Sequence, residues 1–377
     1  MSKYKIMTPG PVQVPENVRL ARSLSTTNAD LDPQFYDEYK ETCELISELL
    51  HTKNETLILS GEGILGLEAA CASMTEPGDR VLILDNGIYG AGFADFVSMY
   101  GGTPVMYTKD YKNAFDVDEL DAYLKEDHDF KYATVVHCDT PSGMLNDIHK
   151  ICPLLKSYGI MTVTDSVSGM FGNEVDVDKA QIDILCGGSQ KAVSAPPGLT
   201  FVTISDEAKA AMGNRKTPIA SFYCNLTIFK DYYKNLWFPY TMPISDIYGL
   251  RAAIDNIAED KNLIERHARI ANATRNALKE FGIKLHLESG VSDTVTVFDV
   301  PDGMSADDIL TRMREEHGIM LAGSFGELAG KVIRIGHMGA SANVGDMLEV
   351  MAGLEETLRY FGWKSDKWLL NSFYNNL

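Results

Sequence analysis

The sequence predicts an α/β protein built on a large, mostly parallel β-sheet, followed by a smaller α+β domain. Three observations lead to this fold class. Short β-rich runs alternate with helical patterns between about residues 56 and 204, the runs are almost continuously apolar, and the pattern changes after about residue 256. A length of 377 residues also exceeds what one ordinary core supports.

The β-rich runs predict a seven-stranded sheet with helices on both faces. The predicted strands cover residues 56–59, 81–84, 103–107, 133–138, 161–165, 182–186 and 199–204. The predicted helices between them cover residues 65–74, 90–100, 117–125 and 149–158. Asp116 followed by Glu119 has the spacing of a capping box, which indicates a helix start.

The later part of the chain predicts a module of its own. Its expected elements are a long amphipathic helix at 261–281, strands at 295–300 and 332–335, and helices at 306–316 and 344–360. We therefore expect a large domain over residues 21–255 and a small domain over residues 256–377. A pocket between two such domains is a favoured binding site.

The composition is that of a soluble globular protein, with 45% hydrophobic and 23% charged residues. The formal net charge of −19 disfavours nucleic acid and anionic membrane surfaces as partners, because both reward a positive field. We find no apolar stretch long enough to cross a bilayer and no secretory signal. Six scattered cysteines without a C-x-x-C pair argue against a disulfide framework. A cytoplasmic enzyme is the expectation.

A glycine-rich motif offers one alternative. Gly61-x-Gly63-x-x-Gly66 follows a predicted strand and opens a helix, and Asp85 ends the next strand, as in nicotinamide-dependent dehydrogenases. Glu62 argues against a dinucleotide, because its carboxylate stands where backbone would approach a diphosphate. The dehydrogenase is therefore a minority hypothesis, whereas a helix N-terminus that holds one anionic group is retained.

Three features at the carboxyl ends of predicted strands favour another cofactor. Asp165 ends one strand, and Lys191 follows the next strand on a glycine-rich loop. The third feature is the turn formed by Ser60, Gly61, Glu62 and Gly63. Ligands of open parallel sheets bind beyond this edge. A lysine that can form an imine, a carboxylate that keeps a ring nitrogen protonated and a cup for a phosphate are the requirements of pyridoxal 5'-phosphate.

Other side chains could complete this site. Tyr89 could cover one face of the pyridine ring and Val167 the other. Ser142 could hydrogen-bond the ring hydroxyl, although turn chemistry alone also explains the Thr-Pro-Ser-Gly sequence around it. The His-Cys-Asp run at residues 137–139 resembles a metal cluster, but successive strand residues face opposite ways, so we expect no metal.

Several segments resemble the class-V aminotransferases, specifically the alanine–glyoxylate and serine–pyruvate branch. These segments are Thr8-Pro9-Gly10-Pro11, Gly188-Ser189-Gln190-Lys191-Ala192, Ala195-Pro196-Pro197-Gly198 and Val332-Ile333-Arg334-Ile335-Gly336. The resemblance implies fold type I of the pyridoxal-phosphate-dependent transferases and an obligate homodimer with active sites built from both subunits. It also implies amino transfer from a small amino acid of the alanine or serine type to a small 2-oxo acid, pyruvate or glyoxylate.

The resemblance also implies roles for particular residues. Lys191 and Asp165 would be the catalytic pair, and Arg334 would hold the substrate carboxylate as a bidentate fork. Residues 1–20 would contribute to the active site, with Gly10 at the substrate. Gln190 would contact the cofactor phosphate, and Thr241 would reach the same phosphate from the neighbouring subunit.

Gly61-Glu62 followed by residues 65–70, together with residues 139–143 and 334–339, further resembles the pyridoxamine–pyruvate aminotransferases, which leaves a second chemistry open. In those enzymes free pyridoxamine is a substrate, and Glu62 would repel a phosphate and accept a hydrogen bond from a hydroxymethyl group. Phe238, where the branch often has a phosphate-binding tyrosine, indicates the same. By contrast, Gln190 resembles the phosphate-binding version, and Phe325 stands where those enzymes carry a second arginine. Bound pyridoxal phosphate with a small amino-acid donor is the first hypothesis. Free pyridoxamine as donor, with no tightly bound cofactor, is the second.

Overall fold

The computed structural model describes residues 4–377, and its central feature is a seven-stranded sheet. In chain order the strands are β1 (Lys5–Ile6), β2 (Glu55–Ser60), β3 (Arg80–Asp85), β4 (Thr103–Thr108), β5 (Tyr132–Val136), β6 (Cys138–Asp139), β7 (Met144–Leu145), β8 (Met161–Asp165), β9 (Ile184–Gly188), β10 (Leu199–Ile204), β11 (Val295–Asp299), β12 (Ile319–Met320) and β13 (Val332–Gly336). The sheet has the order β2-β10-β9-β8-β5-β3-β4. Only β10 runs antiparallel to its neighbours within it. The predicted α/β class with a mostly parallel seven-stranded sheet is confirmed.

Helices pack around this sheet and form most of the small domain. They are α1 (Glu16–Ala21), α2 (Pro33–Leu49), α3 (Gly63–Met74), α4 (Ile88–Met99), α5 (Val117–Glu126), α6 (Ile148–Ser157), α7 (Asp206–Gly213), α8 (Tyr232–Asn235), α9 (Ile244–Glu259), α10 (Leu263–Glu280), α11 (Ala306–Glu316), α12 (Val344–Tyr360) and α13 (Leu369–Asn375). Asp116 caps α5 by accepting hydrogen bonds from two backbone N–H groups of its first turn. Within residues 4–377, no helix is both long and apolar enough to cross a membrane.

Two apolar cores support the division that we propose at residues 255 and 256. The larger core consists mostly of residues between Val12 and Ile257, and the smaller one mostly of residues between Ile270 and Phe373. Met7 is an exception, because it belongs to the smaller core. Strand β1 pairs in parallel with β12, so the start of the chain folds onto the small domain. Helix α9 crosses the proposed boundary and ends at Glu259.

The topology around the glycine-rich motif shows that the dehydrogenase hypothesis was wrong. The motif does link a strand to a helix, β2 to α3, as predicted. However, β2 lies at the edge of the sheet, and the neighbour it has there, β10, is antiparallel. Strand β3 lies at the far side of the sheet, beyond β5. The motif therefore lacks the pair of adjacent parallel strands on which dinucleotide binding depends.

A tyrosine from helix α2 satisfies the backbone of edge strand β2. The Tyr39 hydroxyl accepts a hydrogen bond from the Ile58 N–H (2.9 Å) and donates one to the Ile58 carbonyl oxygen (2.7 Å). Both residues are fully buried. Unpaired backbone groups on an edge strand are costly when buried and can pair with other chains when exposed. One side chain thus substitutes for a missing neighbouring strand.

Replacement of this hydroxyl should therefore destabilise the protein. We expect Tyr39→Phe to lower the free energy of unfolding by about 2–4 kcal/mol, because it leaves a buried N–H and a buried carbonyl without a partner. The matched control is Tyr36→Phe on the same helix, whose hydroxyl donates a longer hydrogen bond, of 3.4 Å, to the Asp30 carbonyl oxygen. That control should lower the free energy of unfolding by less, about 0.5–1 kcal/mol, because it removes one weaker hydrogen bond. Equal unfolding midpoints in urea for the two variants would contradict this account of the edge.

Candidate active site

A cleft opens at the carboxyl ends of β2, β8 and β9. The sequence-predicted residues that line it are Gly10, Glu62, Gly63, Tyr89, Asp165, Val167, Gln190 and Lys191. They come from five separate parts of the chain, and the parallel arrangement of β2, β8 and β9 brings most of them to one edge of the sheet. The structure therefore brings these side chains together, as the sequence predicts.

Lys191 lies on the loop that follows β9. Its amine donates a hydrogen bond to the Pro9 carbonyl oxygen at 2.7 Å. Burial lowers the pKa of Lys191 to about 8, and the neighbouring Cys138, Asp165 and Glu62 offset only part of this effect. About a tenth to a fifth of the amine is therefore neutral near physiological pH, far more than for an ordinary lysine, and the neutral form is the one that attacks a carbonyl carbon and accepts a proton.

Asp165 ends β8 and is almost completely buried. Its Oδ1 accepts a hydrogen bond from the Val167 N–H at 2.9 Å, but burial still raises its pKa to about 7. A carboxylate in this position lacks a close cation of its own, because Lys191 bonds to Pro9 instead. A protonated ring nitrogen bound beside Asp165 would supply that cation and keep the carboxylate ionised.

Tyr89 and Val167 provide ring-sized apolar surface in the cleft. Tyr89 lies in the first turn of α4, and its N–H donates to Asp139 Oδ1 at 2.9 Å. Val167 packs against Gly63, where a Cβ would come within 2.9 Å of both Val167 methyl groups. Gly63 therefore lets the start of α3 approach the residue that follows Asp165.

The N-terminus of α3, where an anionic group was expected, already has a carboxylate. Glu62 Oε1 accepts a hydrogen bond from the Ile64 N–H at 3.1 Å, and Oε2 accepts one from Gln190 Nε2 at 3.1 Å. The other amide atom, Gln190 Oε1, is buried without a hydrogen-bond partner. Ser60 and Gly61 lie behind this point and do not line the cleft. This end of the site thus presents hydrogen-bond acceptors. A phosphate bound there would add further acceptors and negative charge next to them.

Arg334 is held so that part of its guanidinium remains available. It lies on β13 and donates from Nε to Gly323 O (2.6 Å) and from Nη1 to Thr140 O (3.2 Å). Both acceptors are neutral carbonyl oxygens, and no described residue bonds to its Nη2. The Phe325 ring lies 5.9 Å from the guanidinium and meets the Tyr89 ring edge-on at 6.3 Å. A carboxylate ligand would give Arg334 its missing charge partner.

Besides Ser60, Gly61 and Arg334, two further predicted residues, Ser142 and Thr241, do not line the cleft of this chain. Ser142 is fully buried, and its hydroxyl donates to Asp139 Oδ2 at 2.6 Å rather than pointing at a free position. Thr241 is exposed and donates to Asp30 Oδ2 at 3.1 Å. The role of Thr241 at a neighbouring subunit's cofactor stays a prediction, because it concerns a second chain.

Three groups at the cleft had no role in the sequence-based hypothesis. Asp139 is buried and binds both the Tyr89 backbone and Ser142, so it fixes the start of α4. Cys138 lines the cleft, and Pro9 contributes a carbonyl oxygen. Asp139 could have been found, because it follows an apolar run as Asp165 does. A backbone carbonyl such as that of Pro9 leaves no signal in the sequence.

The donor set of the cleft fits a pyridoxal ring. A partly neutral amine, a buried carboxylate in need of a cation and two apolar walls match its aldehyde, its ring nitrogen and its faces. Lys191, Asp165, Tyr89 and Val167 would hold these parts. Only the phosphate end is contested, by Glu62. No group of three or more histidine, cysteine, aspartate or glutamate side chains in residues 4–377 is arranged to hold a metal ion.

Comparisons with known proteins agree with this donor set. Residues 18–338 match the family model for class-V aminotransferases. The chain is 33% identical to the pyridoxamine–pyruvate transaminase of Mesorhizobium japonicum, over 89% of this chain and 86% of that protein. It is 31% identical to the alanine–glyoxylate aminotransferase of Callithrix jacchus, over 94% and 87% respectively.

A solved structure agrees as well. The crystal structure of ureidoglycine–glyoxylate aminotransferase from Bacillus subtilis superposes with a TM-score of 0.94 at 30% identity, and the match covers 99% of this chain and 97% of that one. The fold-type I architecture is thereby confirmed. The chain belongs to the class-V aminotransferases, a family that depends on pyridoxal phosphate.

Proposed function

We propose that the protein transfers an amino group from a small amino acid of the alanine or serine type to a small 2-oxo acid, pyruvate or glyoxylate. The observation that supports this most is one cleft that holds a buried amine and a buried carboxylate, Lys191 and Asp165, with Arg334 close by. Relatives named for alanine–glyoxylate and serine–glyoxylate transfer support the substrate class.

Each residue has a definable task in this proposal. When bound, pyridoxal phosphate supplies an electron-accepting ring that stabilises negative charge at the α-carbon of the amino acid. Asp165 holds a proton on the ring nitrogen, and Arg334 binds the substrate carboxylate beside Gly10. Lys191, mostly neutral above its pKa of about 8, accepts the proton from the substrate α-carbon as a general base. The resulting ammonium group then donates that proton as a general acid.

The remaining proposed contacts surround the cofactor. Tyr89 and Val167 would cover the ring faces, and Ser142 would hold Asp139, which fixes the Tyr89 backbone. Gly61, Gly63 and Ser60 shape the turn at the phosphate end, where Gln190 offers its amide. Thr241 would complete this end from the partner subunit.

Removal of the Lys191 amine tests the proposed proton transfer. We expect Lys191→Ala to lower amino transfer from L-alanine to glyoxylate about a hundred- to ten-thousand-fold, because no other described amine lines the cleft. The control is Lys150→Ala, an exposed lysine paired with Asp147. Release of pyruvate, measured with a coupled dehydrogenase, reports the rate. Wild-type turnover by the Lys191 variant would refute the assignment.

A second candidate function is favoured by one specific observation, the Glu62 carboxylate at the N-terminus of α3. Its bonds to the Ile64 N–H and to Gln190 occupy the donors that would bind a phosphate. The buried, unpartnered Gln190 Oε1 adds an acceptor. The Glu62 carboxylate and Gln190 Oε1 are both acceptors, so they suit a hydroxymethyl group, which donates a hydrogen bond. Under this candidate, free pyridoxamine is the amino donor and pyruvate the acceptor.

Spectroscopic titration of Glu62→Gln separates the two candidates. We expect this change to tighten the binding of pyridoxal phosphate by on the order of tenfold relative to free pyridoxal, because it removes a like charge. Glu44→Gln, whose carboxylate pairs with Lys40 elsewhere on the surface, is the control. Equal affinity of wild type and Glu62→Gln for the phosphate form would mean that Glu62 turns into solvent. It would then favour bound pyridoxal phosphate as the cofactor and count against the second candidate.

We further propose a homodimer with shared active sites. Exposed apolar side chains occur together in two segments, among them Leu24 and Leu31 in the first and Phe222 and Trp237 in the second. The Thr241–Asp30 hydrogen bond joins the same two parts of the chain. Apolar surface of this kind marks interfaces between proteins. The six buried free thiols suit the cytoplasm, which we propose as the compartment.

Mixed dimers test whether Thr241 serves the partner's site. We expect Lys191→Ala chains and Thr241→Arg chains to be weakly active alone. After unfolding and refolding together, they should regain about a quarter of wild-type activity, because each mixed dimer has one site with Lys191 from one chain and Thr241 from the other. Refolding each variant separately is the control. Failure of the mixture to exceed the separate variants would place Thr241 at its own chain's site or at none.

A further inference from the structure

Residues 5–13, which we call the N-terminal strap, cross from the small domain to the large domain over the cleft. At one end, the Met7 N–H bonds to β12 (2.9 Å), and the Gly336 N–H of β13 bonds to the Met7 carbonyl oxygen (2.8 Å). At the other end, the Val12 N–H bonds to the Gln190 carbonyl oxygen (3.2 Å). The strap is therefore fixed by main-chain hydrogen bonds on both sides of Lys191.

The middle of the strap lies directly on the end of the Lys191 side chain. The Pro9 carbonyl oxygen accepts the hydrogen bond from Lys191 Nζ at 2.7 Å. Gly10 has φ +107°, and a Cβ there would come within 2.4–2.6 Å of the last carbons and the nitrogen of that lysine. The Thr8 hydroxyl donates to the Pro11 carbonyl oxygen at 2.6 Å and closes the turn that carries Pro9 and Gly10.

The opposite side of the strap is equally close to the small domain. A Cβ at Gly336 would lie 2.2 Å from the Thr8 carbonyl oxygen and 2.6 Å from the Pro9 nitrogen. Gly336 is two residues beyond Arg334 on the same strand. Within the turn at residues 8–11, Gly10 faces Lys191, and Gly336 of β13 packs against the opposite side. Neither glycine has room for a side chain.

We propose that Pro9 is a positioning residue for Lys191, whose amine it holds through its carbonyl oxygen while the strap turn at residues 8–11 excludes water. The strap thereby presents the amine of the large domain to a substrate bound by the arginine of the small domain. The inference rests on the proposed function only for the catalytic role of Lys191.

Water at the strap would change the charge of Lys191. The groups facing the amine are Cys138, Arg334, Asp165 and Glu62, and burial has the largest effect on its pKa. Burial disfavours the ammonium form, so a displaced strap should raise the pKa from about 8 toward the ordinary value for lysine. The amine would then be mostly protonated at pH 8 and unable to accept a proton.

The experiment measures this pKa in the full chain after removal of cofactor. Competitive acetylation with acetic anhydride across a pH series, followed by mass spectrometry, gives the midpoint for Lys191, with exposed Lys150 as an internal reference. We expect Thr8→Val, which keeps the shape of the side chain but lacks the hydroxyl, to raise the midpoint by about one unit. Thr8→Ser retains the hydroxyl and should restore the wild-type value.

A second variant approaches the strap from the other side. Gly336→Ala must displace the turn, since Gly10 leaves no space toward the lysine, and should also raise the midpoint. Its control is Gly345→Ala, where the nearest atom to a Cβ is Asn343 Oδ1 at 3.6 Å. Midpoints that stay at the wild-type value in both Thr8→Val and Gly336→Ala would overturn the proposal. If wild-type protein transfers no amino group but the midpoints shift, the proposed function fails while the positioning of the amine stands.

Discussion

The organisation of the site depends on two opposite charges that the fold takes out of water at the ends of neighbouring strands. Asp165 ends β8, Lys191 follows β9, and these strands pair directly, with Asp165 opposite Cys186. Burial moves the two pKa values toward each other, to about 7 and about 8. Lys191 is thereby made ready to exchange a proton near neutral pH, and Asp165 is left in need of a cationic partner. A cationic ring between them would relieve the cost of burying the carboxylate.

The surrounding elements can be understood from this central constraint. Helix α3 contributes a carboxylate at its N-terminus, β13 contributes a guanidinium, and the start of the chain contributes a carbonyl oxygen. The two candidate chemistries differ only at the α3 end. There, the balance between a phosphate and a hydroxyl group depends on whether Glu62, an exposed side chain, stays on its two donors or turns into solvent.

Much of this arrangement could be predicted because it follows local rules. Apolar runs ending in Asp165 and before Lys191 specify strand ends, and strand ends of a parallel sheet share one edge. The glycine-rich motif shows the limit of such rules. Its local pattern predicts the β2–α3 turn correctly, but the pattern does not encode which strand lies next to β2. Pro9 lies beyond prediction for a different reason. Its contribution is a backbone atom, which every residue has, and its place depends on pairing with distant strands.

The strap has a consequence for how the protein comes to be made. Its residues leave the ribosome early, yet Gln13 bonds to Asp346, 333 residues later in the chain. Most of the large domain can fold as it emerges, because its core is formed mostly by residues up to Ile257. The strap must wait, unpaired, until β12 and β13 have been translated. The strap is therefore fixed much later than it is made, and the lysine acquires its dry environment only after β13 has been translated.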